Sequence, residues 1–233
     1  MFDPIELSKK VEKIVKCGEK KKYYRFRPTR FYGGIATADT VGCNLRCKFC
    51  WSSNSVWNAK NTGNFFSAEQ VAYNLNKMAM KKGYKQVRIS GGEPTIDRHH
   101  LIELLSFVDP KLLFILETNG ILLGKYDDYV EQLSKFKNLH VRVCLKGCNP
   151  EEFSWLTGAQ KGFEYQLKAL EYLHEKDMSF NIAIVSVRDD KHKLYSNLTQ
   201  MGFGKIMIEE EKIKLYTQVK KRLEKEGIIN YFK

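Results

Sequence analysis

Three cysteines stand within eight residues, Cys43-Asn44-Leu45-Arg46-Cys47-Lys48-Phe49-Cys50, spaced C-x3-C-x2-C behind an apolar run. Thiolates are soft ligands that select iron–sulfur clusters, zinc and copper(I). A cubane [4Fe–4S] cluster takes four thiolates. A loop that offers three leaves one iron free to bind a small molecule. A structural zinc site closes a tetrahedron of four ligands, and no C-x2-C or H-x3-H pair follows at zinc-finger distance. A disulfide framework does not suit a chain of 233 residues without a secretion signal. The spacing points to an iron–sulfur cluster.

A second constellation is Ser90-Gly91-Gly92-Glu93-Pro94. Two glycines let the backbone approach a ligand closely and adopt positive φ. Backbone carbonyls and the Glu93 carboxylate can accept hydrogen bonds from an amino group, and proline fixes the exit. Alone this is a common turn. Behind a three-cysteine loop, at the end of a strand, it is a strong signal.

These residues need elements to position them. Near-helical apolar spacing at Ile5, Leu7, Val11, Ile14 and Val15 predicts a short N-terminal helix. Residues 21–32 read as an extended arm. Strands are predicted at 33–41, 86–90, 112–116, 140–145, 180–187 and 205–208, the third buried on both faces. Helices are predicted at 68–82, 101–107, 127–136, 163–175, 191–201 and 213–225. Ser67 or Asn64 caps the first of these and Gly83 stops it. Six strands alternating with helices give an α/β fold with a parallel sheet. No G-x-G-x-x-G follows the first strand, so a dinucleotide fold is disfavoured. The expectation is a partial (β/α)6 TIM-like barrel over 33–233, preceded by a short helical and basic extension over 1–32. Sites in such barrels lie at the C-terminal face of the strands, where the cysteine loop, Gly91-Gly92, Thr118-Asn119-Gly120, Lys146 and Arg188 all fall. Asp189-Asp190 are read as caps of the next helix, and Glu209-Glu210-Glu211 as a solvated helix start.

The formal net charge is +12, and residues 9–30 hold ten Lys/Arg interleaved with aromatics. That combination can grip nucleic acid or an acidic protein. No apolar run reaches eighteen residues and no apolar segment follows Met1, so neither a membrane span nor a signal peptide is expected, and a cytoplasmic protein is. Cys144 and Cys148 carry either an auxiliary cluster or redox pair, or simply a small apolar residue and a loop thiol. Cys17 reads as a lone thiol. The five histidines form no ligand pattern, and His99-His100 are expected to be exposed.

The cysteine spacing with Phe49 before the last cysteine, together with G-G-E-P, resembles the radical S-adenosylmethionine (radical SAM) superfamily. That resemblance implies a [4Fe–4S] cluster on Cys43, Cys47 and Cys50, with SAM chelating the open iron. One electron from the cluster then breaks the S–C5′ bond to give a 5′-deoxyadenosyl radical. It also implies that Gly91, Gly92 and Glu93 hold the methionine part of SAM and that the Phe49 backbone touches the adenine. Thr118, Asn119, Lys146 and Arg188 would be further SAM contacts. Glu117-Thr118-Asn119-Gly120 looks like the D-T-N-G of glycyl-radical-enzyme activases. Residues 144–158 are similar to their D-x-K, N/D-P and H-x-x-L-T-G run. The departures are Glu117 and Cys144 in place of aspartates, Phe153 in place of histidine, and no F-D-G-P-G-x-R before Cys43. They bear on the substrate and not on the cofactor. The implied activity is hydrogen abstraction from a large substrate, a protein foremost, which would itself seal an open barrel. The alternatives are modification of tRNA or another nucleotide, and a non-catalytic iron–sulfur electron carrier. The implied partners are that macromolecule and a reductant such as ferredoxin or flavodoxin.

Overall fold

The computed structural model describes residues 1–187 and 191–232. The strands are β1 Lys16–Cys17, β2 Lys20–Thr29, β3 Ile35–Thr40, β4 Asn64–Phe66, β5 Gln86–Gly91, β6 Leu113–Thr118, β7 Leu139–Lys146, β8 Ser179–Val185 and β9 Ile208–Glu210. The helices are α1 Pro4–Val15, α2 Ser53–Trp57, α3 Ala68–Lys82, α4 Arg98–Phe107, α5 Ile121–Lys125, α6 Asp127–Leu133, α7 Pro150–Thr157, α8 Phe163–Glu175, α9 His192–Leu198 and α10 Thr217–Lys225.

Six strands, in the order β3-β5-β6-β7-β8-β9, form a parallel sheet with helical crossovers. This is the expected partial barrel, open between its two edges. The basic segment of residues 20–29 does not stand apart from it. As β2 it pairs antiparallel with β3, and β1 and β4 pair with β2. Val11 and Val15 of α1 are buried in the common core. The reason is visible in Lys21 and Lys22. Their stems are buried and their ammonium groups donate to main-chain carbonyls, Lys21 to Pro94 (2.8 Å) and to Ile96, Lys22 to Ala59 (3.1 Å) and Lys60 (2.7 Å).

Strand side chains alternate between two faces, and here the faces differ in chemistry. Ala36 and Ala38, Val87 and Ile89, Phe114 and Leu116, Val141, Val143 and Leu145, Ile182 and Ile184 pack against the helices in one apolar core. Burying each large aliphatic side chain contributes about 1.5–3 kcal/mol, so this outer layer supplies the cohesion of the fold. The alternate positions are buried too, yet many are polar. Arg88 donates to Thr37 Oγ1 (3.0 Å) and Glu117 Oε1 (2.7 Å), while Arg142 donates twice to Glu209 (3.0 and 2.9 Å). Asp39 pairs with Arg25 and Arg27, each at 2.7 Å. The inner face is therefore a polar lumen. It corrects the reading of 112–116 as buried on both faces, since Leu113 is exposed, and β6 runs on through Glu117, which lies on the inner side. Glu209 is likewise a strand residue facing Arg142 and not part of a solvated helix start.

Local signals set the helix ends. Ser67 and Gln70 form a reciprocal capping box on α3, and Gly83 closes it in the left-handed conformation. Asn149 caps α7, Pro150 occupies its first turn and Gly158 stops it. α5 was not expected, because five residues carry too little periodicity to register. α6 ends at Leu133, α9 at Leu198, and α10 begins at Thr217, each shorter than its apolar pattern suggests. The last strand lies at Ile208–Glu210, shifted from 205–208. Beyond β9 the chain returns to the opposite edge of the sheet. Lys214 Nζ sits 5.4 Å from the Phe31 ring, and α10 rests on the cysteine loop.

Candidate active site

Parallel register places the cysteine loop beside the glycine turn. Thr40, the last residue of β3, pairs with Gly91, the last of β5. The Gly92 N–H donates to Thr40 O (2.9 Å) and the Glu93 N–H to Gly42 O (2.7 Å). A Cβ at Gly92 would lie 2.1 Å from Gly42 O, so no other residue fits. The two motifs are stapled together by their main chains.

Glu93 is 2 % exposed and acts as a brace. Its Oε1 accepts from the Thr95 N–H (3.1 Å), Thr95 Oγ1 (2.7 Å) and Thr118 Oγ1 (2.6 Å). Its Oε2 accepts from the Asn119 N–H (2.8 Å). The carboxylate thus joins the end of β5 to the end of β6. Asn119 in turn donates Nδ2 to Asn44 Oδ1 (2.7 Å), with Cys43 Sγ at 3.9 Å. Thr118 and Asn119 thus lie beside the glycine turn and the cysteine loop, bonded to Glu93 and Asn44.

The loop itself is gripped by α7. The Arg46 N–H donates to Thr157 O (3.2 Å) and the Lys48 N–H to Leu156 O (2.9 Å). Carbonyls in the last turn of a helix lack intrahelical partners, and the loop uses two of them. That gives Leu156-Thr157-Gly158 its physical meaning. Cys47 is buried; Cys43 and Cys50 are half-buried, and all are free thiols. Burial pushes the Cys47 thiol up to about 12 and raises Cys43 and Cys50 as well. Lys146 and Arg222 oppose this at Cys47 and Cys50, as does Arg46 at Cys50. Such cations suit a bound group whose thiolates carry net negative charge.

The donor set fits a cluster better than a single ion. Among the described residues, three potential ligand atoms fall within 4.8 Å of one another only at Glu19, His99 and Glu103. The loop cysteines do not crowd together in this way, and a cubane holds its thiolates apart on separate irons. A buried donor, Asn44 Nδ2, has no partner beside Cys43, which leaves an N–H to offer a bound sulfur or oxygen.

Lys146 lies on the inner face at the end of β7, its Nζ 5.8 Å from the Phe49 ring and 3.9 Å from Glu211. Burial opposes its charge, but Cys144, Glu211 and Cys47 together raise its pKa. Phe49 is buried, its ring 6.1 Å from that of Phe232. Cys144 faces the lumen, where Arg142 Nη1 donates to its sulfur (3.2 Å) and burial pushes its thiol up to about 11. Cys148 is half-buried in the following loop. Arg188, Asp189 and Asp190 lie outside the described residues. His100 is buried, against expectation, bonding Tyr23 Oη (3.1 Å) and Glu19 O (3.3 Å); His99 is exposed.

Sequence reasoning missed three braces, two of them buried (Gln166 and Glu152) and one half-buried (Arg222). Gln166 of α8 ties Asn119 O (2.6 Å) and Cys144 O (3.0 Å) together and accepts from the Lys146 N–H (3.1 Å). Glu152 of α7 accepts from the Cys148 N–H (2.7 Å), Ser186 Oγ (2.9 Å) and the Val187 N–H (2.8 Å). Arg222 of α10 donates to the carbonyls of Lys48 and Cys50, both at 2.6 Å. A polar residue inside an apolar helical face is the available signal for the first two.

Comparison with known proteins agrees with this geometry. The radical SAM superfamily matches residues 38–193. The chain is similar to a probable GTP 3′,8-cyclase of Thermococcus kodakarensis, 29 % identical over 57 % of this chain and 40 % of that protein. It is also similar to a GTP 3′,8-cyclase of Syntrophomonas wolfei, 30 % identical over 63 % of this chain and 44 % of that protein. The chain thus spans less than half the length of these relatives. In fold it resembles Streptococcus suis SuiB bound to precursor peptide SuiA, with a TM-score of 0.60 and 22 % identity, covering 84 % of this chain and 45 % of that one. It also resembles anSMEcpe with bound AdoMet, with a TM-score of 0.55 and 19 % identity, covering 82 % of this chain and 57 % of that one. No described helix is long and apolar enough to cross a membrane. The nearer likeness to glycyl-radical activases is not carried by these relatives, and Glu117, in one of the activase aspartate positions, is already engaged by Arg88 and by Tyr32 Oη (3.1 Å). The protein belongs to the radical SAM superfamily and is a radical SAM enzyme, whose cofactors are a [4Fe–4S] cluster and S-adenosylmethionine.

Proposed function

We propose that Cys43, Cys47 and Cys50 hold the cluster, that the Gly91-Gly92-Glu93 turn and the lumen end of Lys146 receive SAM, and that the substrate is a nucleotide. When bound, the reduced cluster supplies the electron that splits SAM into methionine and a 5′-deoxyadenosyl radical. The residues of this chain bind, orient and shield. Main-chain carbonyls of the glycine turn can accept from the SAM amino group, while Lys146 offers positive charge for its carboxylate. Glu93, with all its hydrogen bonds made inside the protein, holds the turn against β6.

The observation that carries the substrate reading is the charged lumen. Arg88, Arg142 and Lys146 line it beside Glu117, Glu209 and Glu211. Such a lining suits a small, highly polar molecule with phosphate and base edges to engage, since guanidinium forks match phosphate oxygens in pairs. The GTP 3′,8-cyclase relatives support the same reading.

The test is anaerobic reconstitution, reduction with dithionite and addition of SAM, with 5′-deoxyadenosine as the readout. Its formation, its loss in Cys47→Ala and its acceleration by a purine nucleoside triphosphate are expected. Acceleration by peptides or proteins and not by nucleotides would restore the protein-substrate reading. A cluster that ignores SAM would mark an electron carrier.

A further inference from the structure

The cysteine loop is held from two sides. α7 lies within the stretch that matches the superfamily, but α10 begins at Thr217, well after the match ends at residue 193. The α10 side is nonetheless intimate. Arg222 Nε donates to Lys48 O and Nη2 to Cys50 O, both at 2.6 Å, while its guanidinium lies 5.2 Å from the Trp57 ring. Val219 and Leu223 are fully buried beneath the helix. Lys48 meets Glu226 (3.7 Å), and Trp155 stacks on Phe232 with ring centroids 6.3 Å apart.

The two accepting carbonyls flank Phe49 and lie in the turn that joins the second cysteine to the third. A guanidinium is a rigid planar fork that fixes two carbonyls in one plane; an ammonium on a shorter, flexible stem is a point donor without that preset geometry. We infer that Arg222 is a positioning residue of the cluster, fixing the turn that carries Cys47 and Cys50 and placing one permanent positive charge beside it. This rests on the assignment of those cysteines as cluster ligands. One-electron reduction of the cluster adds one negative charge and requires no proton. A fixed cation nearby favours the reduced form and raises the midpoint potential.

The experiment compares wild type, Arg222→Met, Arg222→Lys and the exposed neighbour Lys221→Met, each as the full chain, reconstituted anaerobically. The readouts are the midpoint potential by EPR-monitored titration and the rate at which air bleaches the cluster absorbance. Arg222→Met is expected to lower the potential and to bleach roughly tenfold faster, since two charge-assisted hydrogen bonds are lost. Arg222→Lys should keep the potential near wild type, because the charge stays, yet bleach faster, because the fork is gone. Lys221→Met should match wild type in both. A folded Arg222→Met, shown by its melting curve, with wild-type potential and bleaching overturns the inference. Should that variant not fold, Arg222→Lys decides: unchanged bleaching overturns it. A wild-type chain that builds no SAM-responsive cluster would instead refute the function proposed above.

Discussion

Glu93 accepts a 2.6 Å hydrogen bond from Thr118 Oγ1, joining the ends of two neighbouring parallel strands through a carboxylate shut off from water. Three further donors converge on the same carboxylate. Removing it in Glu93→Ala leaves buried donors unpaired, at about 1–3 kcal/mol each before relaxation. The expected result is at least about 3 kcal/mol of lost stability by urea denaturation, together with lost SAM cleavage. Glu93→Gln keeps the shape but turns one acceptor into a donor facing donors, and should weaken SAM binding about tenfold in equilibrium dialysis.

Gly92 and Gly83 separate two reasons for glycine. At Gly92 a Cβ meets a carbonyl oxygen at 2.1 Å; at Gly83, with φ of +68°, it meets nothing within 4 Å. Gly83→Ala should therefore lose only about 1 kcal/mol, the strain of left-handed backbone. Gly92→Ala must push the glycine turn away from the cysteine loop, and is expected to abolish cluster loading, measured as iron and sulfide per chain.

His100 gives a pH dependence. Burial lowers its pKa from 6.5 to about 4. The unfolded chain takes up the proton first, so stability is complete above pH 6.5 and falls as the pH drops toward 4. A loss of roughly 2–3 kcal/mol between pH 7 and 4.5 is expected from this group. His100→Gln should be less stable at pH 7 but visibly flatter over that range in denaturant titrations.

Lys21 tests the basic segment. Burial lowers its pKa to about 8, and its ammonium is spent on the carbonyls that follow the glycine turn. Lys21→Met should lose about 1–3 kcal/mol and weaken SAM binding, whereas exposed Lys20→Ala should do neither. Neutralising all three lysines at 20–22 would damage the fold, so lost RNA binding in that variant would say nothing about a nucleic-acid surface. Filter binding with Lys20→Ala alone is the informative measurement.

The parts of this site legible in the sequence are those whose chemistry is local. Three thiols in one loop and two glycines before a glutamate announce themselves by type and spacing, and the αβ alternation follows from periodicity over long segments. The braces were not legible, because each depends on a partner far along the chain. Arg222 lies in a helix that reads as ordinary solvated surface, 172 residues from Cys50. Lys21 and Lys22 read as a basic arm because burial of a lysine stem shows only once its carbonyl partners are in place. The lumen was hidden for a related reason: short strands carry at most four inner positions each, too few for an alternation of Arg, Glu and Thr to stand out against loops. Glu209-Glu210-Glu211 illustrates it, a run of like charge in which Glu209 answers Arg142 from β9.

The seating of α10 on the cysteine loop also bears on the order of events during synthesis. Residues 43–50 leave the ribosome long before residue 222, and the strands that frame them can pair while the rest is still being made. Until α10 emerges, the carbonyls of Lys48 and Cys50 and one flank of the thiols stay open to the surroundings. A nascent chain thus presents the cysteine turn without its α10 flank, and the two carbonyls gain the Arg222 fork only when that helix arrives.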